Sequence, residues 1–245
     1  MKTRENPAKM TITLAIAAVF AALVCVATLV LVVNIPATNG YFNIGEIMIY
    51  VAALLFGPLV GAFAGGVGAA IADLLAAPVF APGTLVIKCC EGAIVGFLNK
   101  KALKRASTAD WRTYTMLLGV FVGVLLATIG SLYYRNVDVY LGYPQSIMFS
   151  LSIPAEVWYF LGGILALAIA LVGFKLEPES GRAVLAILVG GLEMIAGYFL
   201  YEQLVLGKTA AIVEIAANII QMLAGMIIAI PVARIISRRL PQSKS

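Results

Sequence analysis

Eight ionisable residues interrupt otherwise apolar stretches of this chain: Glu46, Asp73, Lys88, Glu91, Glu156, Glu193, Glu202 and Glu214. A charge inside a bilayer costs roughly 2.5–3.5 kcal/mol on insertion scales, so each marks a candidate functional position. The chemistry open to them is narrow. The chain has no histidine, which removes histidine-ligated haem, most catalytic-metal sites and Ser-His hydrolysis. Cys25, Cys89 and Cys90 lie in apolar runs and give neither a disulfide framework nor zinc spacing. Gly207-Lys208-Thr209 resembles the end of a phosphate loop, but Glu202 stands where its first glycine is required. No catalytic, metal or cofactor set emerges. What remains is recognition by carboxylates, one lysine, amides and tyrosines. Lys88 and Glu91, three apart, can pair on one helix. Glu214, Asn218, Gln221 and Gly225 follow at intervals of 4, 3 and 4, forming one helical stripe. Glu193, Gly197 and Tyr201 share roughly one side of another helix, and Glu202 points the opposite way.

The elements that must position these residues are membrane helices. Of 245 residues, 62% are apolar and 12% charged, and the mean hydropathy is +1.01. Soluble domains are about 45–50% apolar and roughly a quarter charged. This composition excludes a soluble enzyme, a disordered chain and a nucleic-acid binder, and leaves an integral membrane protein. The run from about Met10 to Val33 is too long for a secretory signal and reads as a retained first helix. Eight transmembrane candidates follow, at about 10–33, 45–56, 58–75, 83–99, 114–134, 154–173, 183–205 and 212–236. The second is short and stops at Gly57-Pro58.

Fourteen of the 17 Lys and Arg residues fall at one set of helix ends: the N-terminus, the 99–113 and 174–182 segments, and the C-terminus. The positive-inside bias makes both termini cytoplasmic. The loops at about 34–44, 76–82, 135–153 and 206–211 then face outside. The intramembrane charges cluster toward that outer side, which describes a cup open to the exterior. A proton or ion path would need polar groups through the whole thickness.

Small residues mark close helix contacts. Gly57, Gly61, Gly65 and Ala69 step by four, and Asp73 continues the row. The pairs Ala17/Ala21 and Ala18/Ala22 repeat the spacing on the first helix. Helices 5–6 read as a diverged copy of helices 7–8. Ser152, Glu156, Tyr159 and Gly163 repeat the intervals of Glu214, Asn218, Gln221 and Gly225.

Several blocks, in order, resemble a known family. They are Tyr41-Phe-Asn43-Ile-Gly45-Glu46, Ala-Leu-Leu-Phe-Gly57-Pro58-Leu-Val-Gly61 and Pro82-Gly83-Thr-Leu-Val-Ile-Lys88-x-x-Glu91-Gly92. Asp73, Gly197-Tyr198-Phe-Leu-Tyr201-Glu202 and Glu214-x-x-x-Asn218-Ile-Ile-Gln221 continue them. Together they resemble the riboflavin-type substrate-binding (S) components of energy-coupling factor (ECF) transporters. The resemblance covers about 10–100 and 183–236. It implies a six-helix bundle with an outward vitamin pocket. It also implies docking of first-helix small residues onto a transmembrane coupling (T) subunit driven by two ATPases.

The expectation is therefore an all-α integral membrane protein of about eight transmembrane helices, both termini cytoplasmic, forming one domain over 1–245. A six-helix core over 10–100 and 183–236 carries an inserted pair at 113–173. The function expected is that of an S component in the cell membrane, capturing a vitamin-like micronutrient and not acting as an enzyme. Asn43 and Glu46 are expected as lid contacts, and Lys88 with Glu91 as the charged anchor. Glu193, Tyr201, Asn218 and Gln221 are expected as polar and stacking contacts. Ala17, Ala18, Ala21 and Ala22 are expected to dock the coupling subunit. The alternative is a self-sufficient secondary transporter, which calls for polar groups in the cytoplasmic half as well.

Overall fold

The computed structural model describes residues 7–35, 40–100, 108–141, 147–175 and 181–239. Eight helices run alternately up and down: α1 (Pro7–Val30), α2 (Gly45–Phe56), α3 (Pro58–Ala76), α4 (Ala81–Lys100), α5 (Thr108–Tyr133), α6 (Ala155–Lys175), α7 (Arg182–Val205) and α8 (Lys208–Ser237). Among the described residues, α1, α3, α4, α5, α7 and α8 are long and apolar enough to cross a membrane. The helical membrane architecture expected from composition is the one observed. The end of the bundle that holds Lys100, Arg182 and Arg234 is called the basic end below.

The end opposite the basic one carries something not foreseen. Segments expected as loops, with residues 31–33 expected as the end of the first helix, form a four-stranded antiparallel sheet of β1 (Leu31–Ile35), β2 (Gly40–Phe42), β3 (Asn136–Leu141) and β4 (Ile147–Ser152), in the order β2-β1-β3-β4. Leu31-Val32-Val33 continues the apolar run of α1, so hydropathy alone extends the helix through it. The chain instead turns into a strand whose residue Val33 pairs with Phe42 on one side and Val139 on the other.

α2 has 12 residues, a rise of about 18 Å, against a hydrocarbon core of about 30 Å. Its C-terminal end is tied to the basic end, where Lys100 Nζ donates to the Phe56 carbonyl. Its N-terminus therefore stops well short of the opposite end and leaves space above it. Gly57, at φ +91°, makes the turn into Pro58 at the start of α3. Glycine allows the close approaches that follow. A Cβ on Gly61 would sit 2.6 Å from the Gly92 carbonyl oxygen, and one on Gly65 2.7 Å from that of Lys88, so α3 packs backbone-close on α4.

α7 packs on α4 and α8 on α2, which closes the ring begun by α1–α4. α5 and α6 pack chiefly on each other, with Gly123 and Gly162 at the crossing, and meet the rest through α8. The Tyr134 hydroxyl donates to the Val213 carbonyl at 2.8 Å, and Trp158 Nε1 to that of Tyr134 at 2.9 Å. Glu156, in the first turn of α6, is exposed.

Candidate functional site

The deepest polar group lies at the N-terminus of the short helix. Lys88 on α4 is buried between two carboxylates, Glu46 of α2 and Glu91 one turn along its own helix. The Glu46 contact is the closer of the two; Glu91 Oε2 is 3.2 Å away. Pairing with Glu91 follows from the spacing, but Glu46, 42 residues distant, is the nearer partner. Tyr50 donates to Glu91 at 2.7 Å, and Gln221 Nε2 donates to Glu46 at 2.9 Å. The Lys88 ammonium lies 5.4 Å from the Tyr198 ring centroid. Gly225 admits this packing, since a Cβ there would meet Glu46 and the Tyr50 ring at 2.7–2.8 Å. Two carboxylates, one ammonium and their hydrogen-bond partners form a buried cluster, in which Glu46 Oε2 has no hydrogen-bond partner among the described residues.

Above it lies a polar chamber lined by Tyr41, Asn43, Asp73, Phe80, Tyr198, Glu202, Glu214, Asn218 and Gln221. Its roof is the β2 segment. Asn43 N–H donates to Gln221 Oε1 at 3.1 Å, and Asn43 Oδ1 accepts from Gly45 N–H at 2.8 Å. The Tyr41 hydroxyl donates to Asp73, which also accepts from Thr84. Thr84 has one proton and gives it to Asp73, so Tyr198 is the donor in the 2.8 Å Thr84–Tyr198 contact. Burial, then the adjacent Asp73 carboxylate, hold the Tyr41 phenol far above its usual range, so it remains a donor. Glu202 Oε2 is buried with no hydrogen-bond partner among the described residues. The chamber measures about 40 Å³, room for roughly three waters. Small-molecule sites usually span about 300–1,000 Å³.

The expected site residues divide. Asn43, Asn218 and Gln221 line the chamber. Glu46, expected as a lid contact, is placed below the roof, buried and paired with Lys88. Glu193 is half-buried and absent from the chamber wall. The Tyr201 hydroxyl donates to the Val79 carbonyl at 2.7 Å, and its ring lies against Gly83, where a Cβ would sit 2.6 Å from it. Tyr201 thus ties α7 to the start of α4, and Tyr198 is the aromatic residue facing the chamber. Asp73, Glu202 and Glu214, membrane-depth charges not expected as ligand contacts, also line it. Tyr41 and Phe80, uncharged and not expected as site residues, complete the lining. Of the alanines on α1, Ala17 and Ala21 are buried within the bundle. A Cβ on Gly68 of α3 would lie 2.4 Å from the Ala21 carbonyl oxygen. Ala18 and Ala22 face outward, beside exposed Leu14, Val19 and Val26. Among the described residues, no three or more Cys, Asp or Glu side chains converge to hold a metal ion.

A polytopic helical bundle with a polar chamber at one end has the architecture of an integral membrane protein. Residues 8–171 match the family of the ECF-type riboflavin transporter S component, and the chain belongs to that family. The match runs through α5 and into α6, where the sequence blocks named above do not reach. A Pyrococcus woesei protein described as an uncharacterized protein in the gap 3' region is 46% identical over 107 residues, which cover 44% of this chain and 67% of that protein.

Proposed function

We propose that the chain is the capture subunit for a vitamin-like heterocycle, taken from outside and released inward by a T subunit and two ATPases. The observation that carries this is the roofed chamber above the truncated helix α2, with its polar lining from α3, α7 and α8. The concentration of Lys and Arg at the opposite helix ends supports an outward-facing chamber. In this reading α1–α4, α7 and α8 form the six-helix core, and α5–α6 are an accessory pair packed on α8. Three wall carboxylates, Asp73, Glu202 and Glu214, favour a ligand that is cationic or rich in hydrogen-bond donors. Lys88 is engaged by Glu46 and Glu91 and leaves little for an anion. Riboflavin, named for the family, carries such donors in its hydroxyls; an aminopyrimidine or pyridoxamine-like ring belongs to the same class. Native mass spectrometry of protein purified from rich medium tests this directly. A bound heterocycle of that class is the expected result, and a bound dicarboxylate or phosphate ester would overturn it.

Two predictions arise here. Tyr41→Phe removes the hydroxyl that holds the roof to Asp73. A net loss of about 1 kcal/mol gives ligand release roughly fivefold faster, with association little changed, in stopped-flow kinetics. Ala18→Leu with Ala22→Leu places bulk on the outward face of α1. A small-residue face permits close helix approach, so ATP-driven uptake in proteoliposomes is expected to fall at least tenfold while ligand affinity holds. Retained uptake would remove α1 as the docking surface.

A further inference from the structure

A second cavity, of about 580 Å³, opens at the basic end between α2, α4, α7 and α8. Arg182, Arg234 and Arg238 converge on it, with Leu54, Leu55 and Ile230 forming an apolar wall. None of the three arginines is ion-paired with a described residue; both recorded ion pairs belong to Lys88. Ala183 also lines the cavity. It lies in the first turn of α7, whose N-cap residue, Gly181, makes no side-chain capping bond. The cavity therefore lies beside the N-terminal, positive end of a 24-residue helix. Guanidinium forks and helix N-termini both suit phosphate oxygens.

We infer that this cavity holds the phosphodiester headgroup of an anionic membrane lipid. Its position at the helix ends matches the headgroup level of a bilayer. Basic pockets between transmembrane helices are a recurrent form of headgroup site. The mixed lining fits a lipid better than a free anion. The arginines meet the phosphate while Leu54, Leu55 and Ile230 lie against the glycerol and the first acyl carbons. A soluble phosphate would use only the first half of this surface. Occupancy would pin α2, α4, α7 and α8 together at the end opposite the substrate chamber.

The test uses full-length protein in detergent, titrated with phosphatidylglycerol or phosphatidylcholine and read by native mass spectrometry. Phosphatidylglycerol adducts are expected at concentrations at least tenfold lower than phosphatidylcholine adducts. The Arg182→Gln/Arg234→Gln/Arg238→Gln variant should erase that difference, and the corresponding triple lysine variant should keep part of it. Should the triple glutamine variant not fold, Arg238→Gln alone, at an exposed position, is expected to narrow the preference at least threefold. Millimolar inorganic phosphate should leave the adducts in place. Equal binding of the two lipids, an unchanged preference in the glutamine variants, or displacement by inorganic phosphate would each overturn the inference. So would intact lipid preference in a triple variant that no longer co-purifies with a coupling subunit, which would assign the arginines to an acidic protein partner.

Discussion

Lys88→Met is expected to leave little folded protein. The substitution keeps much of the side-chain volume and removes the one cation held by Glu46 and Glu91. Both carboxylates are almost wholly buried, at 1% and 0% exposure, so they would face each other without a counter-charge. Removing one partner of a buried ion pair typically costs about 3–5 kcal/mol, a large part of a domain's stability. Fluorescence-detected size exclusion should show aggregated or degraded material. Adding Glu46→Gln and Glu91→Gln removes the orphaned charges, and the triple variant should recover a monodisperse peak. Replacing a whole buried ionic group by neutral residues is often neutral or stabilising. If Lys88→Met alone melts within a few degrees of the parent, the cluster is not a structural keystone. If the triple variant folds but binds nothing, the cluster also serves the ligand.

Binding itself should depend on chamber carboxylates other than Glu193, the one expected from the sequence as a ligand contact. Glu202 and Glu214 face the chamber, and Glu193 does not. Glu202→Gln with Glu214→Gln should weaken binding of a cationic or donor-rich ligand about a hundredfold, roughly tenfold or 1.4 kcal/mol for each charge. Glu193→Gln should change it less than threefold. Isothermal titration with the ligand found on the purified protein separates the two. A tenfold loss from Glu193→Gln, or tighter binding by the double variant, would sink the assignment of charges to the chamber.

The reason Glu193 stood out in the sequence is instructive. A separation of nine residues places Glu193 and Glu202 on opposite faces of α7. That geometry is correct, but spacing cannot say which face turns inward. The choice is made by packing, since the α7 face bearing Tyr198 and Glu202 is the one that looks into the chamber. The same holds for Tyr201 against Tyr198. Gly83 on α4 takes the first ring, and nothing within α7 announces it. On α8 the stripe of Glu214, Asn218 and Gln221 was legible because one helix carries three polar residues in phase, and all three reach the chamber. The helices were legible because apolar runs of membrane length have few other solutions. The sheet was not, because the pairing that joins its two hairpins brings together segments about a hundred residues apart, as in Val33 with Val139. Ala17 and Ala21 had the spacing of an outward contact face, yet the small residues of α3 take them inward.

The pairing of β1 with β3 also fixes an order of events during synthesis. β1 leaves the ribosome long before its neighbour, so a nascent chain that has inserted only α1–α4 carries a strand with one edge unpaired. Such an edge is a template for the wrong neighbour, and contacts this distant in sequence form late. Gln221, which anchors the roof at Asn43 and also reaches Glu46, arrives later still, with the last helix. The residues of the ion pairs are thus made first, the last strand of the sheet second, and the α7 and α8 residues that cover the cluster and latch the roof last. Chains cut short after α6 would carry all four strands but lack the α7 and α8 walls of the chamber, Tyr198, Glu202, Glu214, Asn218 and Gln221.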